Sequence, residues 1–138
     1  MKRTYYVLLI VIALIIVPLS HAVTSMAQET TTLLVSEVSI CRDVVDRQPV
    51  GAGDSFEASV GKLTCFTKIT GSQSPTEISH AWYFGDTQRA KVTLTVKSSS
   101  WRTHSTKRIQ PHEIGDWRVD VLGPGGEILQ VLQFKIIP

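Results

Sequence analysis

Two groups of side chains in this sequence have types and spacing that could do chemistry. The first is His80 and Trp82, which share a strand face with Ile78 and Phe84, while Ser79, Ala81 and Tyr83 occupy the other. An imidazole beside an indole reads as a ligand-contacting histidine with a stacking tryptophan. The bland alternative is a packed tryptophan next to a core histidine, which must then be hydrogen-bonded. The second group is the run from Trp101 to Lys107. Alternation puts Trp101, Thr103, Ser105 and Lys107 on one face and Arg102 and His104 on the other. An exposed indole flanked by hydroxyls and a cation suits a sugar ring or a peptide. Arg102 suits a bidentate contact with a carboxylate. The competing reading packs Trp101 over a sheet edge and pairs Arg102 with an acid such as Asp116 or Glu113.

Catalysis needs a nucleophile and base, an acid pair or a metal. Beyond residue 27 the histidines are His80, His104 and His112, and nothing sets them at metal-ligand spacing. Ser105 has no flanking elbow glycines. No glycine-rich loop precedes a helix, so a nucleotide site is unsupported. Asp43 and Asp46 alone do not make a calcium shell. The expectation is a non-enzyme without metal or cofactor.

The elements that position these residues are strands. The chain has 138 residues, room for one domain. Its first 27 residues read as a targeting segment: Lys2 and Arg3, an apolar run from Tyr5 to Val17, Pro18, then small-x-small sites at Ser20-His21-Ala22 and Ser25-Met26-Ala27. The run is short for a spanning helix, which needs about 20 apolar residues. The expected state is a cleaved signal peptide and an exported, periplasmic or extracellular chain. The alternative is an uncleaved anchor in the inner membrane through residues 5–19. Without residues 1–27 the formal charge falls from +2 to zero, because Lys2 and Arg3 are the only charged residues removed. The basicity is therefore a targeting signal and no argument for nucleic acid.

After a lead-in over 28–34, residues 35–138 read as one domain. Strands are expected over Leu33–Val45, Leu63–Thr70, Ile78–Phe84, Lys91–Lys97, Trp101–Ile109, Gly115–Val121 and Ile128–Ile137, with a short extension over Phe56–Val60. The clearest is Gly115–Val121, where Trp117, Val119 and Val121 alternate with Arg118 and Asp120. Asp46-Arg47-Gln48-Pro49-Val50 reads as a break, since proline cannot donate to a ladder. Gly71–Pro75 and Gly123-Pro124-Gly125-Gly126 read as turns. About seven short strands with frequent turn signals predict an antiparallel immunoglobulin-like β-sandwich, with a small closed barrel as the alternative. Cys41 and Cys65 are either a disulfide, favoured in an oxidising compartment, or two separate buried thiols.

The ordered set of short motifs resembles the bacterial family DUF2914, a domain of unknown function. The matching elements are Asp46-Arg47-x-Pro49, Cys65-Phe66-Thr67, His80-x-Trp82-Tyr83, Trp101-Arg102-Thr103-x-Ser105-x-Lys107, Gly115-x-Trp117-x-Val119 and Gly126-x-Ile128-Leu129. The sequence departs from the pattern at His104, where an aromatic is expected, and at Ser98-Ser99-Ser100. The resemblance implies an extracytoplasmic or membrane-associated domain and no activity. The expected function is a non-catalytic binding or interaction module of the cell envelope, with an envelope protein or cell-wall component as partner. The alternative is a small-molecule or glycan-binding domain using the Trp101 face. If the leader is removed, N-terminal sequencing of the exported protein will read from Gln28; a Met1 start in the membrane fraction would establish the anchor instead.

Overall fold

The structure, a computed structural model, describes residues 32–138. The targeting segment 1–27, and most of the lead-in, lie outside the described residues. The strands are β1 (Leu34–Cys41), β2 (Asp43–Val45), β3 (Gln48–Val50), β4 (Ser55–Glu57), β5 (Lys62–Thr70), β6 (Thr76–Phe84), β7 (Thr87–Val96), β8 (Ser100–Arg108), β9 (Gly115–Leu122) and β10 (Ile128–Ile137). One 3-10 turn, Ala58–Val60, is the sole helical element among the described residues. The seven long strands are the seven expected. Of the three short ones, β2 lies in the end of the expected first strand, β3 in the expected break and β4 overlaps the expected short extension.

The strands form a three-stranded sheet, β1-β5-β8, a five-stranded sheet, β4-β10-β9-β6-β7, and a two-stranded ribbon, β2-β3. All ladders are antiparallel except β4–β10, which is parallel. The two larger sheets face each other in a sandwich-like arrangement, and no ladder closes them into a barrel. One apolar cluster gathers Leu63 and Cys65 from the smaller sheet against Trp82, Trp117 and Phe134 from the larger. A second joins Ile69 to Ile78, Val96 and Val121.

Several local expectations need correction. The first strand stops at Cys41, and the chain then forms the β2–β3 hairpin. Asp46 and Arg47 form its two-residue turn, both with left-handed backbone (φ 50° and 62°), which suits the twist of a tight hairpin. Pro49 pairs with Val44, one step from the Val45–Gln48 pair that closes the turn. Ladder alternation asks for no N–H there, so the proline is tolerated. The loop between β8 and β9 carries the chain from one sheet to the other. In β10 the register shifts between Ile128 and Gln130. The shift leaves Ile128 exposed and packs Leu129 against the second cluster.

The Trp117 strand enters the core as expected. Gly115 has φ 135°, and a Cβ there would lie 3.5 Å from the Phe84 ring. Trp117 stacks on Phe84 at 5.0 Å and on Phe134 at 6.0 Å between centroids, and it is 2 % exposed. Truncation removes a large buried surface and leaves a cavity. Trp117→Ala should cost about 3–5 kcal/mol in denaturant melts. Trp101→Ala, at a half-buried ring on an edge strand, should cost clearly less.

Candidate functional site

The residues singled out by type and spacing come together in part. His80 and Trp82 point from β6 into the space between the sheets, and both are fully buried. Register pairs Cys65 with Ser105 across β5 and β8, so Ser105 points inward too and is buried. His80 Nδ1 lies 2.7 Å from Ser105 Oγ, and Trp82 Nε1 donates to the same oxygen at 3.0 Å. On its other side His80 Nε2 lies 3.3 Å from Thr67 Oγ1, which donates to the Thr103 carbonyl at 3.4 Å.

These contacts fix the protons. A hydroxyl has one hydrogen, and a carbonyl only accepts. Thr67 therefore spends its hydrogen on Thr103 and must accept from His80, so the imidazole carries its proton on Nε2. Nδ1 is then an acceptor, and Ser105 donates to it while accepting from Trp82. The chain runs one way, from Trp82 through Ser105, His80 and Thr67 to the Thr103 carbonyl, and links the two sheets. Burial, with a smaller contribution from His104, lowers the His80 pKa to about 4, so the imidazole is neutral at ordinary pH.

A serine hydroxyl donating to an imidazole is also the arrangement of a nucleophile and its base. Here neither atom is open to a substrate: Ser105 is 5 % exposed and His80 is 0 % exposed. The pair, with the Trp82 indole, acts as a pin between sheets.

The remaining candidates do not join this group. Trp101 is half-buried and packs against the second apolar cluster. Thr103 contributes only its carbonyl, and Lys107 Nζ donates to the Arg108 carbonyl at 2.8 Å. Arg102 faces away from the core. It pairs with neither Glu113 nor Asp116: Glu113 binds Arg89, and Asp116 lies 3.7 Å from Lys135. Cys41 and Cys65 are free thiols, both buried, so the expected disulfide is not formed. Ile40 is the register partner of Cys65, and Cys41 that of Thr64. The two thiols therefore leave opposite faces of the sheet, which does not allow a bridge. Burial raises both thiol pKa values and keeps the sulfurs protonated.

Sequence reasoning named Glu113 only as a partner for Arg102 and missed its buried role. Its carboxylate is almost fully buried, accepts from Gln110 N at 2.8 Å and pairs with Arg89, while its carbonyl accepts from Trp117 Nε1 at 3.0 Å. Burial alone would raise its pKa. The Arg89 guanidinium and the Gln110 N–H outweigh that and hold it below the ordinary carboxylate value. The signal available was a lone acid just before Gly115, in a loop that must seat the Trp117 ring.

Two clefts open on the surface. One, of about 810 Å³, is lined by Asp54, Ser55, Asp116, Arg118, Gln133 and Lys135. Its cations are matched within the protein: Arg118 binds Asp120 and stacks on Tyr83 at 3.9 Å, and Lys135 faces Asp116. The other, of about 430 Å³, lies beside Ala58, Val60, Lys62, Arg108, Ile109 and Pro111. Among the described residues, no group of three or more His, Cys, Asp and Glu side chains could hold a metal ion.

Fold and site together define an all-β, sandwich-like domain whose polar core is structural. Residues 75–136 match the family model described as Protein of unknown function (DUF2914), the family that the sequence resembles. The match begins after Asp46-Arg47-x-Pro49 and Cys65-Phe66-Thr67, so those two motifs lie outside it. A comparison with curated proteins gave no match.

The unprotonated Nδ1 of His80 has a consequence for acid stability. The unfolded chain takes a proton near the ordinary value of 6.5, whereas the folded chain resists until about 4. The contribution is thus fully present above pH 6.5 and is lost as pH falls toward 4, amounting to about 3 kcal/mol for this one group. Urea melts between pH 7 and 4 should show this loss, and it should be absent in His80→Gln. Ser105→Ala, which strips partners from both His80 and Trp82, should cost about 2–3 kcal/mol at pH 7.

Proposed function

We propose that this chain is an exported, non-catalytic interaction module of the cell envelope, built on an immunoglobulin-like sandwich. The strand order supports the fold assignment. The orders β1-β5-β8 and β4-β10-β9-β6-β7 correspond to the two sheets of such domains, and the buried Trp82 sits on the strand that follows β5. Export is supported by the basic start and the apolar run from Tyr5 to Val17.

One observation carries the non-catalytic reading. The side chains best suited to chemistry, His80 and Ser105, are sealed between the sheets and committed to a one-way hydrogen-bond chain. What the domain offers to a partner is its outer faces and strand edges. A glycan or small-molecule site at Trp101 would need an exposed indole beside a groove. Trp101 packs on the core side instead, and neither cleft described above includes it.

Protease added to cells whose outer envelope has been opened while the inner membrane stays intact, with cross-linking in the envelope fraction, tests the proposal. The expected result is a protease-accessible domain and a discrete adduct. A domain protected in the cytosol without an adduct would sink the reading.

A further inference from the structure

The two outer faces of the sandwich differ sharply in charge. On the five-stranded sheet Lys91, Arg118 and Lys135 share the face with Glu77, Asp116 and Asp120, and two of these cations are paired with those acids. On the three-stranded sheet Lys62, Lys68, Arg102 and Arg108 share the face with one acid, Glu37, and with His104. Among the described residues, only Lys68 has a carboxylate near it there, Glu37 at 3.6 Å.

The cations on this face are also set directly against each other. Register places Lys62 opposite Arg108, and Lys68 opposite Arg102. Like charges in direct cross-strand pairs destabilise a sheet. Arg102 Nε is shielded from solvent and meets no acceptor among the described residues. Apart from Glu37 beside Lys68, nothing among the described residues offsets these two pairs, so an anionic partner accounts for them better than packing does. Phe66 is buried at the centre of the face, between Ser39 and His104, so the cationic pairs toward its two ends are what a partner meets.

Apolar surface accompanies charge at both ends. Lys62 and Arg108 line the cleft of about 430 Å³ whose other walls include Ala58, Val60, Ile109 and Pro111. Near Lys68 and Arg102 lies Leu34, which is 65 % exposed on the same face. Cations next to exposed apolar groups suit a phosphate headgroup with hydrocarbon behind it. Nucleic acid would use the cations and leave Leu34 and the apolar walls without a role.

We propose that the outer face of β1, β5 and β8 docks on a bilayer surface carrying anionic phospholipid, with Lys62 and Arg108 holding one headgroup at the mouth of the cleft. This rests on the envelope reading above, since an exported chain meets such a surface on release or on its anchor. Residues 18–33 could span roughly 50 Å if extended, enough for the face to lie flat beside an anchored segment.

The test uses the isotope-labelled full chain with phosphatidylcholine bicelles, with or without roughly a third phosphatidylglycerol. Any insertion of the N-terminal segment is common to both, so the difference reports the face. The expected result is amide shifts around Leu34, Lys62, Lys68, Arg102 and Arg108 with anionic bicelles only. Raising salt from about 0.1 to about 0.5 M should abolish them. The double variant Lys62→Glu, Arg108→Glu should weaken binding at least about tenfold, with the dispersed spectrum of a folded chain, while Lys91→Glu on the opposite face should bind as before. Equal spectra with the two bicelles, or shifts confined to β7 and β10, would overturn the proposal. So would the same shifts with inorganic polyphosphate and none with anionic bicelles. An envelope adduct that persists without lipid-dependent shifts would leave the interaction reading standing and remove this one.

Discussion

The hydrogen-bond chain from Trp82 to the Thr103 carbonyl is the constraint on which the relation of the two sheets depends. Apolar packing favours burial but does not choose between nearby alignments of two sheets. A chain whose every donor has one acceptor does choose. Sliding β8 by one residue would turn Ser105 outward and leave the Trp82 N–H and His80 Nδ1 buried without partners, and each such group costs about 1–3 kcal/mol. The polar core thus specifies the alignment, while Leu63, Ile78, Val119 and Phe134 supply the burial.

The aromatic end of the core is fixed in a related way. Phe84, Trp117 and Phe134 stack in succession, and Phe56 and Trp82 meet Phe134 edge-on. Glu113 locks that end from outside. It binds β7 through Arg89, holds the Gln110 turn and receives the Trp117 indole on its carbonyl. A buried ion pair does not guarantee net stability. Here the acid also accepts from the Gln110 N–H, so it sets where the loop crossing between sheets must run.

Much of the fold was legible because alternation is a local signal. Trp117, Val119 and Val121, or Ile78, His80, Trp82 and Phe84, announce a buried face without knowledge of a partner. What stayed hidden depends on pairing between distant segments. The β8 strand is polar on both faces, so its own residues could not say which face turns inward; the register with β5 decides it. The buried His80 and Trp82 raised a demand for hydrogen-bond partners, and Ser105 met it from a strand that looked solvated. The cysteines failed as a pair for the same reason. Proximity on neighbouring strands was plausible, but a one-step offset put them on opposite faces. The Ile128 shift and the Asp46-Arg47 turn are single-residue features that periodicity cannot see.

The order of strands in the smaller sheet bears on where this module begins. The family match starts at residue 75 and so takes in β6 to β9 and most of β10, while β1, β4 and β5 precede it. Cut at that boundary, β8 would lose β5, with which it pairs, Thr67 would be missing from the polar chain, and the inner face of the larger sheet would be bare of Leu63, Cys65 and Ile69. The span that the family model matches is therefore smaller than the span that can exist as a folded body. An inherited unit of this kind has to travel with its upstream strands.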